Sequence, residues 1–165
     1  MTYAQSTEME VVVTAPPQQL FDYLDDQENL GTHMQKSSMM MLGSSMAYEF
    51  DEARGRTVGS VIRMTGKIAG LNLQVEEVVI QRQPPFQKAW ETRGEPHLLV
   101  IGSYRMGFET KTDGRLCRLR VFIDFNYPSS ALGRVAGWFL GRTYARWCVR
   151  QMAIGAQTRF SKDSA

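Results

Sequence analysis

The stretch RLCRLRVFIDFNY, residues 115–127, sets apolar and polar positions in alternation. Cys117, Leu119, Val121, Ile123, Phe125 and Tyr127 share one parity; Arg118, Arg120, Asp124 and Asn126 share the other, with Phe122 as the exception. A period of two predicts a strand with one buried and one solvated face. In the preceding stretch Val100, Gly102, Tyr104, Met106 and Phe108 stand against Ser103, Arg105 and Glu109 in the same way. Between the two lies Asp113–Gly114, a strong short-range hairpin signal.

Extending this reading gives candidate strands over residues 39–50, 58–68, 71–82, 87–93, 98–111 and 115–127, separated by DEARGRTVG, KIAGLN, RQPPFQ, RGEPH and KTDGR. A further strand over residues 6–15 ends in β-branched residues, and Pro16 and Pro17 then mark a helix start before Leu20, Phe21 and Leu24. A short helical turn is expected at ENLGTHM. Pro128 closes the last strand, and residues 131–161 form the long helical segment. At about 100° per residue, Leu132, Ala136, Phe139, Leu140, Thr143, Tyr144, Trp147, Gln151 and Ile154 make a broad stripe predicted to face the sheet.

That helix holds two regular rows. Gly133, Gly137 and Gly141 recur every fourth residue with Ala145 continuing them, beside Arg134, Arg142, Arg146 and Arg150. Glycine within a helix costs roughly 1 kcal/mol relative to alanine, so the row implies a close backbone approach or room left at a cavity edge. A membrane GxxxG motif is excluded, because only seven residues separate Arg134 from Arg142. The arginines are expected in solvent. Read as a phosphate-binding ridge they would need a basic chain, and with 19 Lys and Arg against 17 Asp and Glu the net charge is only +2. No nucleic-acid partner is expected, whereas the row with Trp138 and Phe139 allows peripheral contact with an anionic membrane.

The order of elements predicts an α+β fold: a seven-stranded, curved antiparallel sheet wrapped around a long C-terminal helix, as one domain over residues 1–165 with its core at about 6–161. Of the 165 residues 43% are hydrophobic, enough for a core without disulfides or metals. Cys117 and Cys148 sit in apolar runs with no disulfide framework, and the N-terminus lacks a basic and then apolar leader. With no run near 18 apolar residues, a cytoplasmic protein without stable membrane insertion is expected, as a monomer or homodimer.

The words within this order carry a resemblance. VTAPPQQLFDYLDDQENL resembles the V-x-A-P-x-x-x-F-x-Y-L-x-D-x-x-N opening of the SRPBCC superfamily, the START-like helix-grip fold. EVVIQRQPPFQKAWE is similar to its fourth strand, Pro-Pro turn and fifth strand, and the likeness runs from about residue 6 to residue 160. The resemblance implies a deep apolar cavity between sheet and helix. Among its members are polyketide cyclases and dehydratases, lipid and coenzyme Q carriers, and hormone receptors, so the fold implies a pocket before it implies a reaction.

Candidate pocket residues are Tyr48, Trp90, Tyr104, Met106 and Phe108, joined by Phe125, Tyr127, Phe139, Tyr144 and Trp147. Ten methionines, three of them consecutive at 39–41, suit a wall that adapts to a ligand. The expected ligand is a hydrophobic or amphipathic small molecule, lipid, polyketide or isoprenoid-like. The alternative is a cyclase- or dehydratase-type enzyme using acid–base groups in the same cavity. No cofactor or metal is expected: His33 and His97 are far apart, no CxxC, HxxxH or GxSxG occurs, and GKIAGLN lacks a Walker lysine. His33 is placed near the cavity mouth, as a gate or as an ordinary loop histidine. Glu77 shares parity with Leu73, Val75 and Val79, and inward it would have a raised pKa and could serve as a general base. The reading favoured instead is a bulge at Glu76–Glu77 that turns both to solvent.

Overall fold

The computed structural model describes residues 2–26, 46–68, 71–114 and 116–161. The expected turn at ENLGTHM, His33 and the methionine run at 39–41 lie outside these residues. Strand β1 (Gln5–Val13) leads into α1 (Pro17–Asp25), followed by β2 (Met46–Phe50), β3 (Val61–Ile68), β4 (Leu71–Gln83), β5 (Gln87–Thr92), β6 (Tyr104–Asp113), β7 (Leu116–Phe125) and α2 (Ala131–Ser161). The strands form one antiparallel sheet in the order β1-β7-β6-β5-β4-β3-β2. The chain thus has the α+β architecture that the alternation predicts.

Two strands begin later than their apolar runs suggest. Before β3, the Asp51 carboxylate accepts hydrogen bonds from the Ser60 hydroxyl (2.6 Å) and the Val61 N–H (2.8 Å), closing a turn in which Gly55 and Gly59 have positive φ. Before β6, Gly102 N–H donates to the Asn126 carbonyl at 2.7 Å, and a Cβ there would stand 2.6 Å from the Tyr127 carbonyl oxygen. That segment is therefore a close-packed strap rather than a strand.

The Phe122 exception has a local cause. Its ring lies on the outer face between the guanidinium groups of Arg120 and Arg105, 5.1 and 5.4 Å from its centroid. Stacked guanidinium groups over an aromatic face are mutually favourable, and Phe122 is only 6% exposed.

The stripe predicted for α2 is corrected. Leu132 is 87% exposed and Phe139 66%, while the buried face runs through Gly137, Gly141, Ala145, Cys148, Met152 and Ala156. A Cβ on Gly137 or on Gly141 would lie 2.9 Å from the Val100 carbonyl oxygen, and on Gly137 also 3.0 Å from the Tyr127 ring. The glycine row is the contact face, and the space beside it holds the strap before β6 and the end of β7. A helical wheel scores apolar bulk, whereas this helix is seated by how near its backbone can come.

Candidate functional site

Register places one parity of every strand on the face toward α2. Across the sheet, Phe50, Ile62, Glu77 and Thr92 align, as do Tyr48, Met64 and Val75, and then Val79, Trp90, Met106 and Ile123. Helix α2 packs mainly on β1 and β7 and touches α1; among the described residues its backbone stands clear of β2–β5 beyond isolated approaches. The interior on that side is spanned by side chains instead.

Glu77 is at its centre, 5% exposed. The Tyr104 hydroxyl donates to Glu77 Oε1, and the Trp90 indole lies beside the same carboxyl. The strand irregularity in β4 falls between Val79 and Gln81, beyond the glutamates. Glu76, on the opposite parity, pairs outside with Arg63 at 2.7 Å. The bulge expected at Glu76–Glu77 is therefore corrected, and strand parity alone places Glu77 properly.

Burial pushes the Glu77 carboxyl up to about 7, against the opposing pull of the Tyr104 hydroxyl, the Trp90 indole and the Lys88 charge. The phenols around it stay neutral: burial and the neighbouring Glu77 push Tyr48 up to about 12, and the same two causes raise Tyr104. Tyr144 stands beside Cys148, one turn along α2, and lies within electrostatic reach of Tyr48 and Glu77. Burial pushes the Cys148 thiol up to about 12, so it is no nucleophile at neutral pH. Glu77 alone in this cluster changes charge near neutrality.

The sign of its effect on folding follows. An ordinary glutamate ionises near 4.5 and the folded one near 7, so between those values the folded state holds the extra proton. Stability should fall as pH rises through that window, by roughly 3 kcal/mol in all if the shift is fully expressed. Urea unfolding at several pH values should show this slope in wild type and lose it in Glu77→Gln; parallel profiles for the two proteins would contradict the raised pKa.

Of the sequence candidates, Tyr48, Trp90, Tyr104 and Tyr144 come together around Glu77. Trp147 is half-buried with its ring 5.8 Å from that of Tyr144. Phe108, Phe125 and Met106 belong to the packed core beneath, and Tyr127 covers Phe125 edge-on at 6.1 Å. Phe139 does not join them; it stands on the outer side of α2 in an edge-to-face pair with Trp138 at 4.6 Å. Two interior groups were missed. Lys88, fully buried, shares parity with Trp90 in QKAWET, but a lysine there reads as solvated; Cys148 lies on the same buried face as the glycine row that the wheel had set aside. Among the described residues no three His, Cys, Asp or Glu side chains gather where they could hold a metal ion, and no helix is long and apolar enough to cross a membrane.

Solved structures share this architecture at low identity. TTHA0849 from Thermus thermophilus is 12% identical with a TM-score of 0.68, over 98% of this chain and 100% of that one. A point mutant of Thalictrum norcoclaurine synthase, in complex with a transition-state analogue, is 12% identical with a TM-score of 0.66, over 100% and 99%. The Aha1 dimer from Colwellia psychrerythraea is 12% identical with a TM-score of 0.55, over 94% and 96%. No curated protein matches the chain. The profile of one family, described as polyketide cyclase / dehydrase and lipid transport, matches residues 4–158, nearly the whole sequence. With that match and a long helix gripped by a seven-stranded sheet, the chain belongs to the polyketide cyclase/dehydrase and lipid transport family.

Proposed function

We propose that this protein binds a hydrophobic or amphipathic small molecule, of lipid, polyketide or isoprenoid type, between α2 and the β2–β5 half of the sheet, with Glu77 as its polar anchor. The observation that carries the reading is a buried carboxyl among aromatic rings that accepts from the neutral Tyr104 hydroxyl and has the Trp90 indole beside it. Among the described residues no lysine or arginine forms an ion pair with it. Burying a carboxyl without a charge partner costs several kcal/mol, and groups held at such cost cluster at functional sites. Tyr48 and Met64 face the same interior, Tyr144 reaches toward Glu77 with Trp147 beside it, and all four keep partial exposure, so apolar wall remains available to a guest.

Native mass spectrometry of protein purified from its own source tests this. A reproducible added mass, lost on solvent extraction and weakened in Glu77→Gln, is expected; a clean apo mass from both proteins would count against it. The reading carries with it a cytoplasmic monomer or homodimer.

One observation supports a second reading. A carboxyl with a pKa of about 7 is half-protonated at neutral pH, the condition for general acid–base catalysis of a cyclisation or dehydration. Norcoclaurine synthase shows that this fold can host an enzyme. With a candidate substrate, the rate should rise with pH through about 7 if Glu77 is the base, and Glu77→Gln should lower it about 100-fold or more. Unchanged turnover in that variant would leave the carrier reading alone.

A further inference from the structure

The first turns of α2 present an apolar surface to the outside. Leu132, Val135, Trp138, Phe139 and Leu140 are between 56% and 87% exposed, five large apolar side chains within nine residues. The interior site does not use them. At about 100° per residue, Leu132, Val135 and Phe139 fall in one sector opposite the Gly141–Ala145 seat, and Arg142, Arg146 and Arg150 continue that sector along the helix. The outer face is therefore apolar for about 12 Å and then cationic for about 12 Å more, at 1.5 Å per residue.

Its charge is one-sided. Arginines stand at 134, 142, 146, 150 and 159 of α2, and the helix contains no aspartate or glutamate. Arg142 donates to the Gln5 side chain at 2.8 Å; Arg146 and Arg150 are exposed. Just before the helix, Ser129 donates a hydrogen bond to Glu95 at 3.1 Å. Apolar side chains followed by guanidinium groups on one face match a bilayer interface: the first enter the acyl boundary, the second meet the phosphates.

We infer that the outer face of α2 docks on an anionic lipid surface, with Leu132, Val135 and Phe139 inserted and Arg142, Arg146 and Arg150 against the headgroups. A second copy of the chain fits less well: an antiparallel two-fold contact would set each arginine row against the partner's apolar half, a parallel one would set the arginine rows against each other, and neither helix offers a carboxylate. Nucleic acid would engage the arginines and leave Leu132 and Val135 without a partner. The inference is independent of what the interior holds.

Co-sedimentation with phosphatidylcholine vesicles, with and without phosphatidylserine, at low and high salt, tests it. Wild type should pellet at least about tenfold more with phosphatidylserine at low salt, and the excess should shrink at high salt. Arg146→Glu/Arg150→Glu should abolish the phosphatidylserine dependence, and Leu132→Gln/Phe139→Gln should weaken pelleting about tenfold or more. All four positions are exposed, so circular dichroism and Tm should match wild type and certify folded variants. Equal pelleting of wild type and both variants would overturn the inference. So would a dimer in sedimentation velocity that Phe139→Gln dissolves without any vesicle binding, or binding of a single-stranded oligonucleotide in place of vesicles.

Discussion

Asp25→Ala should destabilise the fold by about 3–5 kcal/mol, the usual cost of removing one partner from a buried charge pair. Asp25 closes α1 and is 4% exposed. Its carboxylate meets Lys88 Nζ at 2.8 Å and Arg82 Nη2 at 2.8 Å, and the Asp25 carbonyl accepts from Lys88 Nζ at 2.9 Å. Lys88 has no exposed surface, so without the carboxylate its ammonium keeps only that carbonyl among these partners. Arg82 would suffer less, because it is partly exposed and its guanidinium also lies 5.5 Å over the Phe21 ring. The discriminating measurement is the urea midpoint of Asp25→Ala against Asp25→Ala/Lys88→Met. The second change should restore a large part of the loss, since it removes the stranded charge; a double variant no more stable than the single one would refute the charge account.

The pH dependence of the same group is opposite to that of Glu77. Burial alone would raise the Asp25 carboxyl, but hydrogen bonds from Arg82 and Lys88 and their charges outweigh it and hold it below the usual carboxylate range. A depressed carboxyl contributes stability that is present above its unfolded value of 3.8 and lost as pH falls through the folded one. Acid should therefore loosen the α1 clamp while it relieves the burial of Glu77. Asp25→Asn should flatten the acid limb of the stability profile and leave the Glu77 slope in place.

What could be read from the chain divides by the range of the interaction that decides it. The alternation of β7 and the Asp113–Gly114 turn are local, and both survive in the structure. So does α1, where Leu20, Phe21 and Leu24 are buried as their spacing predicts. Glu77 was legible from parity, but a preference for solvating paired glutamates overrode it; the partners that make its burial tolerable, Tyr104 and Trp90, lie on other strands. Lys88 and Asp25 are 63 residues apart, so neither advertises the other. The face of α2 fails for a different reason: Phe139 and Leu140 outrank glycine in any hydrophobic scale, yet they lie outside, because the Val100 carbonyl admits only a helix without side chains there.

That last point yields the second large effect. Alanine in place of a mid-helix glycine ordinarily gains roughly 1 kcal/mol. At Gly137 and Gly141 the added Cβ would press within 2.9 Å of the Val100 carbonyl oxygen, a backbone atom in the strap whose Gly102 is itself wedged against Tyr127. Backbone cannot rotate aside as a long side chain does, so either α2 lifts from the sheet or the strap moves. Gly137→Ala/Gly141→Ala should thus lose stability where propensity predicts a gain. Gly137→Leu/Gly141→Leu should lose more, about 1–3 kcal/mol per site from overpacking. For a domain of this size each kcal/mol corresponds to a Tm change of about 2–4 °C. Because α2 carries Tyr144 and Cys148 toward Glu77, lifting it should also widen the interior cluster, and the leucine pair should bind any native ligand more weakly than wild type. A rise in Tm for the alanine pair would show that the helix has slack at Val100, and the close-approach account of the glycine row would then be wrong.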